Sequence, residues 1–391
     1  MKGASVGRGR GTEMPSASSM HFPLALPPGW KSVRFGDLVE TKSGNSKLIK
    51  GKLSSTSLDG LVPAYSASGQ DVWTSDAEWQ ADGVVLSAVG ARCGKTFLAR
   101  GSWTAIANTH VLIPRSGVDP KWLWYLTNDE AFWIKGGTAQ PFVKVKDSKS
   151  LRVPLPPIQE QRRIAAVLDE AEALREKRRQ TLVRLNSLVQ SIFINMFGDP
   201  VRNEYDWPTV RLGDVAIIER KAVYPGEVNN QEQYVGLENI TSNGAVEGVT
   251  TAGKADLKSS KFAFNDDHLL YGKLRPYLTK IAAPKFGGIC STDILPIKPG
   301  DSLYRYYLLY CLRTPAMVAQ ATNNAVGINL PRLSPTVLES FEIPLPPIET
   351  QRCFDSVVQE IHQQHKTLKT QAHLLDTLFD SLRQRAFRGE L

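Results

Sequence analysis

The segment Val153-Pro-Leu-Pro-Pro-Ile-Gln-Glu-Gln-Arg162 occurs a second time in this chain, 190 residues later (343 minus 153), as Ile343-Pro-Leu-Pro-Pro-Ile-Glu-Thr-Gln-Arg352. The similarity continues without a gap into the following residues. At the same spacing, Leu185, Leu188, Ser191, Ile192 and Phe197 match Leu375, Leu378, Ser381, Leu382 and Phe387. A repeat of this length predicts two copies of one structural unit.

A looser repeat precedes each copy. Trp30-Lys-Ser-Val-Arg-Phe-Gly-Asp37 resembles Trp207-Pro-Thr-Val-Arg-Leu-Gly-Asp214, at a spacing of 177 (207 minus 30). The two spacings differ by 13 residues (190 minus 177), which lie inside the modules between the repeats. The predicted organisation is a disordered N-terminal extension (1–26), a first module (27–152), a first long helical spacer (153–200), a second module (201–342) and a second spacer (343–391).

Each repeated segment predicts the start of a long helix. Proline fixes φ and disfavours helix in the residue before it, so Pro-Leu-Pro-Pro ends a module and a helix begins near Ile158 or Ile348. Apolar residues then recur in steps of 4 and 3 over 158–198 and 348–388, close to the 3.5-residue period of a coiled coil. Matching apolar seams favour antiparallel pairing of the two helices with approximate two-fold symmetry. The alternative is two separate helices, each packed only on its own module.

Three polar residues interrupt the apolar seams. They are Arg175, Arg178 and His365. We interpret them as rim positions that the helix pair tolerates, in preference to residues that fix its register or face a partner.

The modules have an α+β pattern, in which short strand-like runs are separated by Gly, Asn, Asp and Ser turns. The predicted strands are Gly83–Ala88, Thr109–Ile113, Tyr234–Leu237 and Ile289–Ile297. Short aromatic-rich helices are predicted at Lys121–Thr127 and Leu303–Cys311. The predicted fold is therefore two α+β modules of mixed strands and short helices, alternating with two long helices that pair as an antiparallel coiled coil.

The composition is that of a globular protein with a basic surplus. The net charge is +8, and residues 30–153 contain 16 basic and 11 acidic side chains, whereas 202–343 contain 15 of each. A basic surplus attracts polyanions without identifying them. The four scattered cysteines form no CxxC pair and no apolar run reaches 18 residues, so we expect a cytoplasmic protein with no disulfide framework, zinc site or membrane span.

The motifs that suggest catalysis are weak. Gly90-Ala-Arg-Cys-Gly-Lys-Thr96 has three residues between its glycines, whereas a P-loop needs four. Glu219-Arg-Lys221 resembles the end of a nuclease metal site, but such triplets are common by chance. No motif for methyl transfer from S-adenosylmethionine is present, and no nucleophile, base and oxyanion donors come together. We therefore predict no catalytic residues and no metal site.

Basic and amide side chains cluster in the turn-rich segments of both modules. Lys and Arg neutralise phosphates, while Arg and Asn can also read base edges. The predicted DNA-binding residues are Lys42, Asn45, Lys47, Lys50, Arg92, Lys95, Lys144 and Lys146 in the first module, and Arg220, Lys221, Lys258, Lys273, Arg275, Tyr277, Asn329 and Arg332 in the second.

Taken together, these motifs resemble the specificity (S) subunit of type I restriction-modification systems. The resemblance covers about residues 27–391 and rests on the duplicated Pro-Leu-Pro-Pro-Ile-x-x-Gln-Arg motif, on Phe387-Arg-Gly-Glu-Leu391 and on the segment from Asp267 to Tyr277. It implies that each module is a target recognition domain for one half of a split DNA site. It also implies a spacer to which two methyltransferase (M) subunits dock, with restriction (R) subunits joining them.

The resemblance implies a non-catalytic subunit that recognises a bipartite, asymmetric site on double-stranded DNA. It implies no cofactor on this chain, with S-adenosylmethionine, ATP and Mg²⁺ held by partner subunits. Two alternatives stay open at this point. One is a stand-alone DNA nuclease or methyltransferase with its own active site, and the other is a scaffold that joins two partners without binding DNA.

Overall fold

A computed structural model of the chain describes residues 26–255 and 257–391, which form two compact units. Unit 1 contains the described residues up to Glu176 together with His373–Leu391, and unit 2 contains Lys177–Ala372. Each unit therefore holds one module and a part of both long helices. Residues 1–25 of the predicted N-terminal extension (1–26) lie outside the described residues. The predicted domain boundaries remain a prediction.

The module of unit 1 contains two four-stranded sheets and two short strand pairs. The first sheet is antiparallel, in the order Val39–Ser43, Thr109–Pro114, Gly83–Ser87, Thr96–Ala99. The second has the order Gly69–Thr74, Val62–Ser66, Ser102–Ala105, Trp79–Gln80, with its middle pair parallel. The strand pairs are Lys31–Arg34 with Arg152–Leu155 and Lys135–Gly136 with Phe142–Val143. Its short helices are Phe35–Leu38, Pro120–Thr127 and Val145–Ser148, with 3-10 turns at Lys50–Lys52 and Glu130–Phe132.

The module of unit 2 has a corresponding arrangement. Its four-stranded antiparallel sheet has the order Ala216–Ile218, Ile294–Pro299, Leu269–Gly272, Ile281–Ala282. A five-stranded sheet has the order Ala222–Val223, Lys261–Phe264, Gly288–Cys290, Gln233–Val235, Thr250–Thr251. Thr209–Arg211 pairs with Glu342–Pro344. Its helices are Leu212–Val215, Arg305–Leu312, Pro315–Asn323 and Pro335–Glu339, with 3-10 turns at Pro225–Glu227, Leu237–Asn239 and Pro276–Leu278.

The strand registers align the two modules residue by residue. Leu86 pairs with Thr96 and His110, as Tyr271 pairs with Ile281 and Leu295, which gives a spacing of 185 (271 minus 86). The 13-residue difference seen in the sequence therefore divides into eight residues before this region (185 minus 177) and five after it (190 minus 185). The predicted α+β fold is confirmed.

Two strand predictions were wrong in detail. The strand predicted at Tyr234–Leu237 ends at Val235, and Leu237 begins a 3-10 turn. The apolar stretch predicted as a single strand from Ile289 to Ile297 forms two strands, because the polar residues between them make a turn. In this turn the backbone N–H of Ile294 donates to the carbonyl of Ser291 at 2.9 Å.

The long helices begin at the predicted residues, since they span Ile158–Phe197 and Ile348–Arg388. In unit 1, Ile164 and Leu168 share a core with Phe379 and Phe387. In unit 2, Phe193 packs edge-on against Phe354, with ring centroids 5.6 Å apart. Within each unit the start of one helix thus packs beside the end of the other, which is the predicted antiparallel pairing. A two-fold relation between the units remains a prediction.

The interpretation of Arg175 as a tolerated rim residue was wrong. Its side chain is only 15% exposed, and its guanidinium lies over the ring of Phe379 at 4.2 Å. It also forms ion pairs with Glu172 at 2.5 Å and Asp376 at 2.7 Å. A largely buried guanidinium held by two carboxylates and an aromatic ring is a specific contact between the two helix segments of unit 1.

The repeated glutamine joins each helix to its module. The buried Gln161 side chain accepts from the backbone N–H of Asp119 at 2.8 Å and donates to the carbonyls of Gly117 and Pro156 at 3.0 and 2.9 Å. Gln351 makes the corresponding bonds with Tyr304, Ser302 and Pro346, at 2.9, 3.2 and 2.9 Å. The amide satisfies three buried backbone groups at once, and this accounts for the glutamine in both copies of the motif.

Candidate nucleic-acid interface

A tight turn at residues 87–95 of unit 1 follows the strand Gly83–Ser87. The N–H of Ser87 donates to the carbonyl of Lys95 at 2.8 Å, and the N–H of Cys93 donates to that of Gly90 at 2.9 Å. Gly90 and Gly94 have φ of +93° and +97°, in the left-handed region that glycine enters without a steric penalty. The sequence that resembles a P-loop is therefore a turn between two antiparallel strands.

The turn at residues 272–280 of unit 2 has the same hydrogen bonds. The N–H of Gly272 donates to the carbonyl of Lys280 at 2.8 Å, and the N–H of Leu278 donates to that of Arg275 at 2.9 Å. The two positions that are glycine in unit 1 are occupied here by Arg275 and Thr279, each with a φ of +52°. The backbone of the turn is shared, whereas its side chains are not.

A second loop joins each turn by matching backbone hydrogen bonds. In unit 1 the N–H of Gly90 donates to the carbonyl of Pro141 at 2.9 Å, and in unit 2 the N–H of Arg275 donates to that of Pro331 at 2.7 Å. In unit 1 the N–H of residue 143 also donates to the carbonyl of residue 88 at 2.9 Å. In unit 2 the N–H of residue 333 donates to the carbonyl of residue 273 at the same distance. We call each combination a paired-loop site: residues 87–95 with 137–144 in unit 1, and residues 272–280 with 326–333 in unit 2.

The paired-loop site of unit 1 contains three of the predicted residues. Arg92, Lys95 and Lys144 are exposed on it, and the exposed Lys146 lies on the adjoining helix Val145–Ser148. Phe142, which is 41% exposed beside the turn, was not among the predicted residues. An aromatic residue in an otherwise polar, proline-containing loop is the signal that could have identified it.

Three of the other four predicted residues of the first module lie beside carboxylates, and the fourth, Lys47, bonds to Asn45 through its backbone. The ammonium of Lys42 is 3.6 Å from Glu40, and the side chains of Asn45 and Lys50 bond to Glu78 and Asp71. The N–H of Lys47 donates to the Asn45 side-chain oxygen at 3.0 Å. Exposed ion pairs contribute only about 0–1 kcal/mol, so these cations can exchange a carboxylate for a phosphate.

Five of the predicted residues of the second module meet in the paired-loop site of unit 2. The guanidinium of Arg275 lies 3.4 Å from the carbonyl of Asn329, and Leu274 is bridged to Arg332. Lys273 belongs to the same turn, and Tyr277 is 50% exposed on it. Arg332 is held at 3.2 Å by the carboxylate of Asp293. The fold thus brings together residues that are more than 50 positions apart in the chain.

The remaining predicted residues lie elsewhere in unit 2. Arg220 and Lys221 are exposed just before the strand Ala222–Val223, and Lys258 is exposed before the strand Lys261–Phe264 of the same five-stranded sheet. The neighbouring Lys261 is buried, and burial lowers the pKa of its ammonium.

In the weak catalytic motif Glu219-Arg-Lys221, the side chain of Glu219 makes a structural contact. Its carboxylate lies 3.1 Å from the buried ring of His268. Among residues 26–255 and 257–391, no group of three or more His, Cys, Asp or Glu side chains is arranged to hold a metal ion. Within the same ranges, no helix is both long and apolar enough to cross a membrane.

Both modules match a known protein family. The model of the type I restriction modification DNA specificity domain matches residues 27–184 and again 204–372. The specificity subunit of the type I restriction enzyme EcoDI from Escherichia coli is 24% identical, over 94% of this chain and 89% of that protein. The specificity subunit of MjaIX from Methanocaldococcus jannaschii is 22% identical, over 94% of both chains.

Two solved structures share the fold. One, described as showing complex assembly and conformational transition of the type I R-M system, has a TM-score of 0.59 at 18% identity, covering 94% of this chain and 100% of the other. The other is the S subunit of a type I restriction-modification system from M. genitalium, with a TM-score of 0.55 at 16% identity, covering 94% and 98%.

Proposed function

This chain belongs to the family of type I restriction-modification DNA specificity domains, and from that premise we propose that its two paired-loop sites each read one half of a bipartite DNA sequence. As a specificity subunit it serves a complex in which other subunits carry out the chemistry. The observation that supports the two-site proposal is the pair of matching backbone frames, at residues 87–95 and 272–280, with different side chains on each.

The shared backbone and the different side chains have separate roles in this proposal. Cations such as the exposed Lys95 and the half-buried Lys273 neutralise phosphates and hold each module in register on the duplex. Arg92 and Arg275 can donate two parallel hydrogen bonds to a guanine, and one such pair discriminates against a wrong base by about 1–3 kcal/mol. Because the two sites present different side chains, the two half-sites differ and the complete site is asymmetric.

The long helices supply the remaining parts of the proposed function. Their helical segments set a fixed distance between the two half-sites, and their exposed faces bind two methyltransferase subunits, with restriction subunits joining the complex. We propose that S-adenosylmethionine, ATP and Mg²⁺ bind to those partner subunits. The specificity chain positions the partners and distorts the DNA enough for a target base to leave the stack.

Methylome sequencing tests this function. A host without other methyltransferases expresses the chain with its methyltransferase subunits, and modified adenines are mapped across the genome. We expect one motif with two different halves separated by a gap of constant length. A continuous palindrome, or no motif, contradicts the proposal.

The catalytic alternative is tested with the purified chain alone. DNA is incubated with Mg²⁺ or with S-adenosylmethionine, and we expect neither cleavage nor methyl transfer. The scaffold alternative is tested by the salt dependence of DNA binding by the assembled complex. Six phosphate contacts weaken the affinity by about a thousandfold or more between 50 and 200 mM salt, whereas a scaffold that does not bind DNA shows no such loss.

A further inference from the structure

The tip of the loop at residues 326–332 exposes apolar side chains to solvent. Val326 is 81% exposed, Ile328 is fully exposed and Leu330 is 45% exposed. Tyr277, 50% exposed on the adjoining turn, extends the same surface. Apolar side chains clustered this way at the tip of a loop indicate a contact surface.

The tip is held rigidly by the backbone. The N–H of Val326 donates to the carbonyl of Arg332 at 2.9 Å, and the N–H of Arg332 donates back to Val326 at the same distance. Gly327 has a φ of +120°, and a Cβ there would lie 3.0 Å from the carbonyl of Leu330. Ile328 is therefore presented by a closed loop, and ordering it on binding carries little entropic cost.

The corresponding loop of unit 1 has a different tip. At the constant spacing of 190, Gly137 corresponds to Gly327, Thr138 to Ile328 and Gln140 to Leu330. Both glycines have positive φ, so the loops share their geometry while one tip is polar and the other apolar. Apolar side chains at these two tip positions are thus specific to unit 2, since the exposed Phe142 of unit 1 corresponds to Arg332 and its ring lies against Gly136 and Gly137.

The charges around the tip indicate its partner. Lys273, Arg275 and Arg332 surround it on the paired-loop site, with the carboxylate of Asp293 holding Arg332. An apolar tip among cations complements a surface that combines apolar faces with negative charge. Stacked bases between phosphate backbones have this chemistry, and apolar side chains that enter a base step unstack it and bend the duplex.

Building on the function proposed above, we propose that Ile328 inserts into a base step of the half-site read by unit 2 and kinks the DNA there. Arg275, beside the tip, anchors the adjacent phosphates or base edges. Unit 1 binds its half-site without such an insertion, because Thr138 and Gln140 occupy the corresponding tip. The deformation is therefore confined to one half of the recognition sequence.

The test uses the full chain assembled with its methyltransferase subunits and duplexes carrying the mapped site. The fluorescent base 2-aminopurine is placed at successive steps of either half-site, away from the adenine that is methylated. For the wild-type complex we expect a fluorescence increase of severalfold at one step of the unit 2 half-site and none in the other half. Ile328→Ser should abolish the increase and weaken binding by about tenfold, because the contacts between the inserted side chain and the unstacked bases are lost.

Two further variants control this experiment. Ile328→Leu keeps the apolar tip and should retain the signal, and Ile217→Ser, which replaces another exposed isoleucine of unit 2 outside the paired-loop site, should leave the signal unchanged. An unchanged signal in Ile328→Ser overturns the proposal. It is also overturned if Ile328→Ser binds DNA normally but no longer assembles with the methyltransferase subunits, because the tip is then a protein-docking surface. Absence of any sequence-specific binding by the wild-type complex instead contradicts the proposed function itself.

Discussion

The turns at residues 87–95 and 272–280 have matching backbone hydrogen bonds but different amino-acid sequences. Unit 1 has Gly90 and Gly94 at the left-handed positions, whereas unit 2 has Arg275 and Thr279 there. A residue with a side chain in this conformation costs about 1–3 kcal/mol. The difference shows that the fold requires the turn geometry, while the side chain of Arg275 is kept despite its strain, as expected for a residue with a function.

The strongest test of the common frame changes its helix seam. Leu185→Asp in unit 2 and Leu375→Asp in unit 1 place a charge at equivalent half-buried positions, and we expect each to reduce the free energy of unfolding by about 3 kcal/mol. The double variant should also lose assembly with methyltransferase subunits, as measured by size-exclusion chromatography. The exposed neighbours Val183→Asp and Leu374→Asp are the matched controls. If the seam and control variants behave alike, the helix pairing is wrong.

The glutamines of the repeated motif test whether the frame is equally strong in both units. Gln161→Leu and Gln351→Leu each remove three buried hydrogen bonds and leave a backbone N–H without its acceptor. We expect each to lower the free energy of unfolding by about 2 kcal/mol, measured by chemical denaturation. Arg162→Ala and Arg352→Ala change the exposed neighbours and should have little effect. A large difference between the two glutamines argues against equivalent joints.

The two turns can be exchanged at one position. Arg275→Gly removes the strain and should raise the stability by about 1 kcal/mol, while weakening DNA binding by about tenfold. Gly90→Ala should lower the stability by about 1 kcal/mol because of its positive φ alone, since a Cβ there meets no atom within 4 Å. Thermal unfolding and DNA affinity are measured for both variants. A gain of DNA affinity in Arg275→Gly speaks against a DNA-contacting role for this arginine.

The helix segments of the two units also differ in their titratable side chains. His365, the counterpart of Arg175, lies with His362 at a cavity of about 840 Å³ in unit 2. Burial, with Lys285 and His365 nearby, lowers the pKa of His362 to about 4. The unfolded chain therefore takes up a proton below about pH 6.5 that the folded state takes up only near pH 4, so stability falls as the pH decreases through this window.

His362→Phe should reduce this loss, which we expect to be about 1 kcal/mol between pH 7.5 and 5 because the ring is only partly buried. The measurement is the difference between denaturation midpoints at the two pH values. His373→Gln, at an exposed position, is the control. Equal pH dependence in the wild type and in His362→Phe assigns the effect to other groups.

Much of the frame could be predicted because it repeats. The Pro-Leu-Pro-Pro segments gave the helix starts at Ile158 and Ile348, since proline restricts the backbone in a way that does not depend on tertiary contacts. The role of Arg175 could not be predicted, because an arginine in an apolar seam becomes intelligible only when Phe379 and Asp376 are seen around it.

The candidate site could be predicted only in part. Lys273 and Arg275 were predicted because they lie close together in the sequence. Their proximity to Asn329 depends on the hydrogen bonds that join the loop at residues 326–332 to the turn. The tip residue Ile328 was not predicted, because basic and amide side chains indicate DNA binding in a sequence, whereas an isolated aliphatic side chain does not. The signal was available as the change from Thr138 to Ile328 at the repeat spacing.

If two separate sites read two separate half-sequences, exchanging one module should alter only one half of the recognised sequence. Residues 27–152 are replaced by the first module of another specificity subunit, and the methylome of a host expressing the chimera is sequenced. We predict that one half of the methylated motif changes, while the other half remains as in the wild type. Changes in both halves would show that the two modules do not read separate half-sites.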